Sequence, residues 1–140
     1  MVSLLVAALF ILPSGCKKKA SPEEVKAAAK VVERYNEAWL NQDMETMYNL
    51  STKERIRSLT DVDPDKGSAH LELAKKRFNL IAEQTRVFLG YEQLEIEEVV
   101  KSQPGRVVFK IKALHKKGSR VEKSSFIREL VKKKEGWRLN

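Results

Sequence analysis

The hydrophobic periodicity of this chain changes once, near residue 90, and this change limits the folds that it can adopt. Before that point, apolar residues recur every three to four positions, which is the spacing of amphipathic helices. After it, Val107, Phe109, Ile111 and Ala113 alternate with a second, mostly basic set, which is the spacing of a half-buried strand. Helices and strands that are segregated along the chain predict an α+β domain.

The helical half begins at "SPEE", residues 21 to 24. It contains a serine that can cap a helix, a proline suited to the first helical position, and a glutamate that closes a capping box. We therefore predict a helix over about residues 22 to 41. Asp43 is predicted to cap a shorter second helix. Residues 51 to 67 are rich in turn formers and predict less regular structure, and a third helix is expected over about residues 68 to 87.

Three turn sequences, "KSQPG", "KKGS" and "KKKEG", divide the second half into four predicted strands. Turns this short join antiparallel neighbours. The apolar stripes of the helices need the apolar face of the sheet as a partner. We therefore predict N-terminal helices packed against a curved, mainly antiparallel four-stranded sheet, which forms a cone with an open mouth.

The N-terminal segment differs from the rest of the chain because residues 1 to 16 carry no charged side chain. The apolar run over residues 2 to 12 is shorter than the roughly 20 residues that a spanning helix needs. It has the length of a signal-peptide core. Residues 12 to 16, "LPSGC", then end on the single cysteine of the chain.

"LPSGC" resembles the bacterial lipobox, in which the cysteine becomes the first mature residue and carries diacylglycerol on sulfur. The resemblance implies a signal peptide over residues 1 to 15, a lipid anchor and basic tether over residues 16 to 20, and a folded domain over residues 21 to 140. The alternatives for Cys16 are a secretory signal with a coincidental cysteine, a buried thiol, and a catalytic thiol.

Membrane anchoring is physically consistent with the residues that follow Cys16. A diacylglyceryl group supplies two acyl chains, and stable attachment takes two membrane signals. Lys17, Lys18 and Lys19 would then lie at the lipid headgroups, where each can add about 1 kcal/mol near an anionic surface. Lysine after the cysteine resembles the pattern of Gram-negative outer-membrane lipoproteins, so we expect an envelope protein that faces the periplasm.

The net charge and the cysteine content limit which partners, metals and cofactors the protein is expected to bind. The chain has 27 Lys and Arg against 19 Asp and Glu, a net charge of +8, which favours anionic partners such as an envelope lipid or polymer. The lysines are scattered and have no aromatic residues between them, so we predict no nucleic-acid binding. One cysteine and two distant histidines, His70 and His115, predict neither a metal site nor a cofactor.

Three stretches resemble the nuclear-transport-factor-2-like family, which includes steroid delta-isomerases. They are "VVERYNEAWLNQDMETMYNLST", "DVDPDKGSAHLELAKKRF" and "LVKKKEGWRL". The resemblance implies a cone-shaped domain over most of residues 21 to 140. In the isomerases, a tyrosine of the first helix and a carboxylate act together. Tyr35 takes the position of that tyrosine and Asp63 resembles the carboxylate, whereas the second acid of the family has no counterpart here.

Five residues are candidates for a pocket in the cone: Tyr35, Trp39, Tyr48, His115 and Arg128. For the third strand, the sequence does not decide which face points into the cone. If Phe126 and Leu130 point inward, Arg128 does so as well, whereas the opposite face would bring Glu129 inward. An inward Arg128 favours an anionic ligand.

The sequence thus predicts a membrane-anchored lipoprotein whose domain is a non-catalytic ligand-binding or protein-interaction module. The alternative is a small lipoprotein enzyme of isomerase or dehydratase type, which would use Tyr35 with a cone carboxylate or His115. A homodimer through the sheet face is a further expectation, since this fold commonly pairs in that way.

Overall fold

A computed structural model describes residues 18–140 of the chain. The predicted signal peptide, Cys16 and Lys17 lie outside the described residues. The helices are α1 (Pro22–Leu40), α2 (Met44–Asn49), α3 (Lys53–Thr60) and α4 (Ser68–Leu89), with a short 3-10 helix at Pro64–Lys66. The strands are β1 (Gln93–Gln103), β2 (Arg106–Lys117), β3 (Arg120–Lys133) and β4 (Gly136–Leu139).

The predicted helix starts are confirmed. At α1, the Ser21 Oγ atom accepts from the amide of Glu24 at 3.1 Å, and the Ser21 amide donates back to the Glu24 carboxylate at 3.3 Å. At α2, the Asp43 carboxylate accepts from the amide and the hydroxyl of Thr46. Each cap satisfies amide groups that have no partner inside the helix, which fixes where the helix begins.

The prediction of irregular structure over residues 51 to 67 was wrong, because α3 lies within it. Thr52 caps this helix by accepting from the amide of Arg55 at 3.0 Å, and Ile56 and Thr60 are buried one turn apart. The helix has only eight residues. Two turns are too few to produce a clear apolar periodicity, and burial against the rest of the domain decides whether such a short helix forms.

The four strands form one antiparallel sheet in the order β1-β2-β3-β4. The β1–β2 register shifts twice, between Ile96 and Glu98 and again between Val99 and Lys101. Irregularities of this kind bend a strand and increase its twist.

The outer face of the β1–β2 pair carries opposite charges on facing strands. Lys112 lies 3.6 Å from the carboxylate of Glu95, and Lys110 lies 3.6 Å from that of Glu97. Opposite charges that face each other across antiparallel strands favour the pairing of those strands.

The core lies between α1 and the opposite, inner face of the sheet. The α1 residues Ala28, Val32 and Tyr35 are buried, as are Phe109 and Leu130 of the sheet. The segment before α3 joins the free edge of β4, where the amide of Thr52 donates to the Leu139 carbonyl at 2.7 Å. The fold is therefore an α+β cone with an unclosed sheet, which confirms the predicted fold class.

The helices of the described part of the chain were compared with the length and hydropathy of membrane-spanning helices. None of the helices within residues 18–140 has both the length and the apolar character that crossing a bilayer requires.

Candidate functional site: an apolar pocket with two arginines

A cavity of about 350 Å³ lies inside the cone, between α1, α3, α4 and β3. Its walls are mostly aromatic and aliphatic side chains, with two arginines among them. The lining residues are Tyr35, Trp39, Met47, Arg55, Leu59, Phe78, Ile81, Ala82, Thr85, Leu89, Tyr91, Phe126, Ile127 and Arg128. Among residues 18–140, no carboxylate and no histidine belongs to this lining.

Strand β3 turns Arg128 toward the cavity. Its neighbours on the inner face, Phe126 and Leu130, alternate with Ile127, which is 65% exposed. The choice of inner face that the sequence left open is thus decided, with Arg128 rather than Glu129 inside. The Arg128 Nε atom donates to the buried Asn36 side chain of α1 at 2.9 Å, which fixes the position of the guanidinium.

Two aromatic rings hold the Arg128 guanidinium in place. Its central carbon lies 4.7 Å from the centre of the Tyr35 ring and 4.8 Å from that of Phe126, within cation–π range. Burial, with a smaller contribution from the positive charge of Arg55, lowers the pKa of Arg128 from its usual value to about 10. In residues 18–140, no Asp or Glu forms an ion pair with Arg128.

Arg55 approaches Tyr35 as well. Its Nη2 atom donates to the Tyr35 hydroxyl at 3.4 Å, and its central carbon lies 5.9 Å from the centre of that ring. The Arg55 Nε atom is buried and has no hydrogen-bond partner within residues 18–140. The cap at Thr52 and the attachment of the preceding segment to β4 fix the start of α3, and so the place of Arg55 in the cavity wall.

Sequence reasoning missed Arg55 because it lies in the segment that was expected to be irregular. A usable signal was present, since a threonine three residues before Arg55 can cap a helix on which Ile56 and Thr60 share a face. That signal places Arg55 on a helix. It does not place the helix against α1, which depends on the whole fold.

The other candidate residues lie in three different places. Trp39 lines the cavity, with its ring centre 5.6 Å from that of Tyr91. Tyr48 lies outside the lining, against Phe78, and contributes to a separate, more polar cavity of about 340 Å³. His115 also lies outside the lining, with its Nε2 atom 3.3 Å from the Glu122 carboxylate.

The parts of an isomerase site do not meet in this cavity. The Asp63 carboxylate accepts from the amide of Asp65 at 2.9 Å at the start of the 3-10 helix, and Asp63 does not line the cavity. Tyr35 is therefore paired with cations rather than with a carboxylate. Within residues 18–140, no cluster of three His, Cys, Asp or Glu side chains is arranged to hold a metal ion.

Comparison with known proteins adds little to this geometry. No family model and no curated protein matches the chain. Among solved structures, it is similar to a chain described as "Rd1NTF2_04 with long sheet", with 14% sequence identity and a TM-score of 0.47 over 80% of this chain and 94% of that one. Similarity at this level supports no conclusion about this chain. Its architecture, helices packed on an open antiparallel sheet, is established by its own structure.

Proposed function

We propose that this protein is a lipid-anchored component of the bacterial cell envelope whose cone binds a small, largely apolar ligand without transforming it. The observation that carries the binding role is the 350 Å³ cavity with aromatic walls. Its volume lies at the lower end of the range for ligand pockets, about 300–1,000 Å³, which favours a ligand of modest size.

The composition of the cavity wall favours binding over catalysis. General acid–base catalysis needs a proton acceptor within about 3 Å of the reacting group. The described lining offers a tyrosine and two arginines, and the Tyr35 hydroxyl already accepts a hydrogen bond from Arg55. Arginine stays protonated at neutral pH, so neither arginine can act as the base.

The contacts made by the start of the domain support the anchoring role. The Ala20 amide donates to the Ser102 hydroxyl at 3.2 Å, beside the β1–β2 turn. The β3–β4 turn lies next to this site, since the Lys132 amide donates to the Gly105 carbonyl at 2.8 Å. A lipid on Cys16 would therefore bring this end of the sheet close to the bilayer.

This membrane-proximal end is rich in lysine. Its lysines include Lys18, Lys19, Lys101, Lys132, Lys133 and Lys134. Basic residues near an anionic lipid surface each contribute about 1 kcal/mol of attraction. Lysine at position 17, directly after the anchor, supports placement in the outer membrane with the domain in the periplasm.

Anchoring is tested by native mass spectrometry of the full-length protein extracted from membranes. The expected mature chain starts at Cys16 and carries a diacylglyceryl mass, whereas the Cys16→Ser variant lacks the mass and leaves the membrane fraction. An intact, unmodified Met1 terminus on the wild-type protein would refute anchoring.

Ligand binding is tested separately, by titrating the protein with 1-decanol while following its tryptophan fluorescence. Trp39 lies in the cavity wall, so occupancy is expected to change the emission. Thr85→Trp should fill the mouth of the cavity and block binding. Gln84→Trp is the matched control, because Gln84 is exposed on the same helix and lies outside the lining. Equal binding by both variants would rule out this cavity as the site.

A further inference from the structure

We propose that the ligand carries an oxyanion, a carboxylate or a phosphate, and that Arg55 and Arg128 bind it beside Tyr35 while the apolar body of the ligand lies along Trp39 and Phe78. This inference rests on the proposed binding function and names the chemical class of the ligand.

The two cavity arginines differ from Arg106, whose charge is balanced inside the domain by an ion pair with Glu129 at 2.5 Å. Neither Arg55 nor Arg128 has a carboxylate partner within residues 18–140, although both line the same cavity. Two like charges in a low-dielectric site repel each other, and a bound anion would relieve that repulsion.

The hydrogen-bond inventory leaves donors for an anion. A guanidinium has five N–H donors. Arg128 uses Nε toward Asn36, and its two Nη groups have no hydrogen bond within the described residues. Arg55 uses one Nη toward Tyr35, while its buried Nε has no partner there. The Tyr35 hydroxyl accepts from Arg55 and so keeps its own proton available as a further donor.

The site is also held in position before any ligand binds. The Arg128 guanidinium contacts the rings of Tyr35 and Phe126 and is hydrogen-bonded to a buried asparagine. A planar guanidinium fixed in this way loses little freedom on binding a carboxylate or phosphate, so more of the interaction energy appears as affinity.

The rest of the cavity suits an apolar body. Beyond Tyr35, the wall is formed by Trp39, Phe78, Ile81 and Leu89, which offer a polar ligand few hydrogen-bonding groups. The net charge of +8 attracts anions to the molecule as a whole. An amphipathic anion thus matches both the polar and the apolar parts of the cavity.

The test compares three ten-carbon probes that differ in head group: decanoate, 1-decanol and decylammonium. Affinities are measured by isothermal titration calorimetry on the full-length protein in detergent, at probe concentrations below micelle formation. Decanoate is expected to bind at least about tenfold more tightly than decanol, which corresponds to about 1.4 kcal/mol, and decylammonium is expected to bind most weakly. Decyl phosphate, titrated in parallel, shows which oxyanion is preferred.

Arg55→Met and Arg128→Met should each reduce the preference for decanoate while decanol binding persists. Arg120→Met is the matched control, because it removes one positive charge from an exposed position at the β2–β3 turn. Circular dichroism checks that each variant is folded, and either cavity variant suffices for the test.

The outcomes separate the two proposals. Equal affinity for decanoate and decanol, or a decanoate preference that survives both cavity substitutions, would overturn the oxyanion site while leaving the binding function in place. If none of the probes binds, both the proposed binding function and the oxyanion site are contradicted.

Discussion

Removing the charge of Arg128 is expected to test whether this residue serves the ligand rather than the fold. Burial lowers its pKa from the usual value of an arginine to about 10. At about 1.4 kcal/mol per pKa unit, the charged side chain is about 3 kcal/mol less favourable in the folded domain than in the unfolded chain. A base with a lowered pKa opposes folding at every pH below the folded value, so this cost is present in full at neutral pH.

Two favourable contacts of Arg128 offset part of that cost. Its cation–π contacts contribute about 1–2 kcal/mol. Methionine at position 128 would also leave the buried Asn36 oxygen without a donor, at about 1–3 kcal/mol. Arg128→Met should therefore change the free energy of unfolding by no more than about 1–2 kcal/mol.

Asn36→Leu alone should destabilise the domain by about 1.5–3 kcal/mol, because the guanidinium then loses its hydrogen-bond partner.

The double variant, Asn36→Leu with Arg128→Met, removes the buried charge and the polar partner together. We expect it to be more stable than either single variant and about 1–2 kcal/mol more stable than the wild type. The assay is chemical denaturation at neutral pH, followed by circular dichroism, without added anions. A double variant that is less stable than the wild type by more than about 1 kcal/mol would refute the reasoning, because the pair would then be serving the fold.

Three further predictions concern the fold. Thr52→Ala should lower the free energy of unfolding by about 1–2 kcal/mol in the same assay, since Thr52 caps α3 and donates to the Asn140 side chain. Hydrogen bonds from Arg106 and then Asn140 lower the pKa of Glu129 below 4.5, so this carboxylate stabilises the fold above that pH. The stability should be lost as the pH falls through the folded pKa, and denaturation from pH 6 to 3 should show a shallower decline for Glu129→Gln. Phe109→Ala should cost about 3–5 kcal/mol, because Phe109 is 1% exposed; a cost below about 1 kcal/mol would contradict its place in the core.

Much of the fold could be predicted because its determinants are local. The Ser21 capping box and the Asp43 cap lie within a few residues of the amide groups that they satisfy, so the sequence shows both partners. The inner residues of β2 alternate along one strand, and the period of two is visible without knowledge of the partner strand. The short turns then specify antiparallel neighbours.

The candidate site was less accessible to sequence reasoning. Tyr35 and Trp39 could be named because they lie on the apolar stripe of α1, and that stripe faces the core. Arg128 could be named only as one of two alternatives, because both faces of β3 carry apolar residues. Arg55 could not be named, since a helix of two turns has too little periodicity and its contact with Tyr35 joins residues from separate helices.

The sequence by itself determined the order of α1, α2, α4 and the four strands, the antiparallel connections and the net positive charge, because each depends on neighbouring residues or on composition. Its N-terminal segment also predicts a lipid anchor at Cys16. Only the tertiary structure decided that Arg128 faces inward and that Arg55 meets it at Tyr35 without a carboxylate partner in residues 18–140. The physical reason is that an unpaired charge is a property of its three-dimensional surroundings, and the packing of α1, α3 and β3 creates those surroundings.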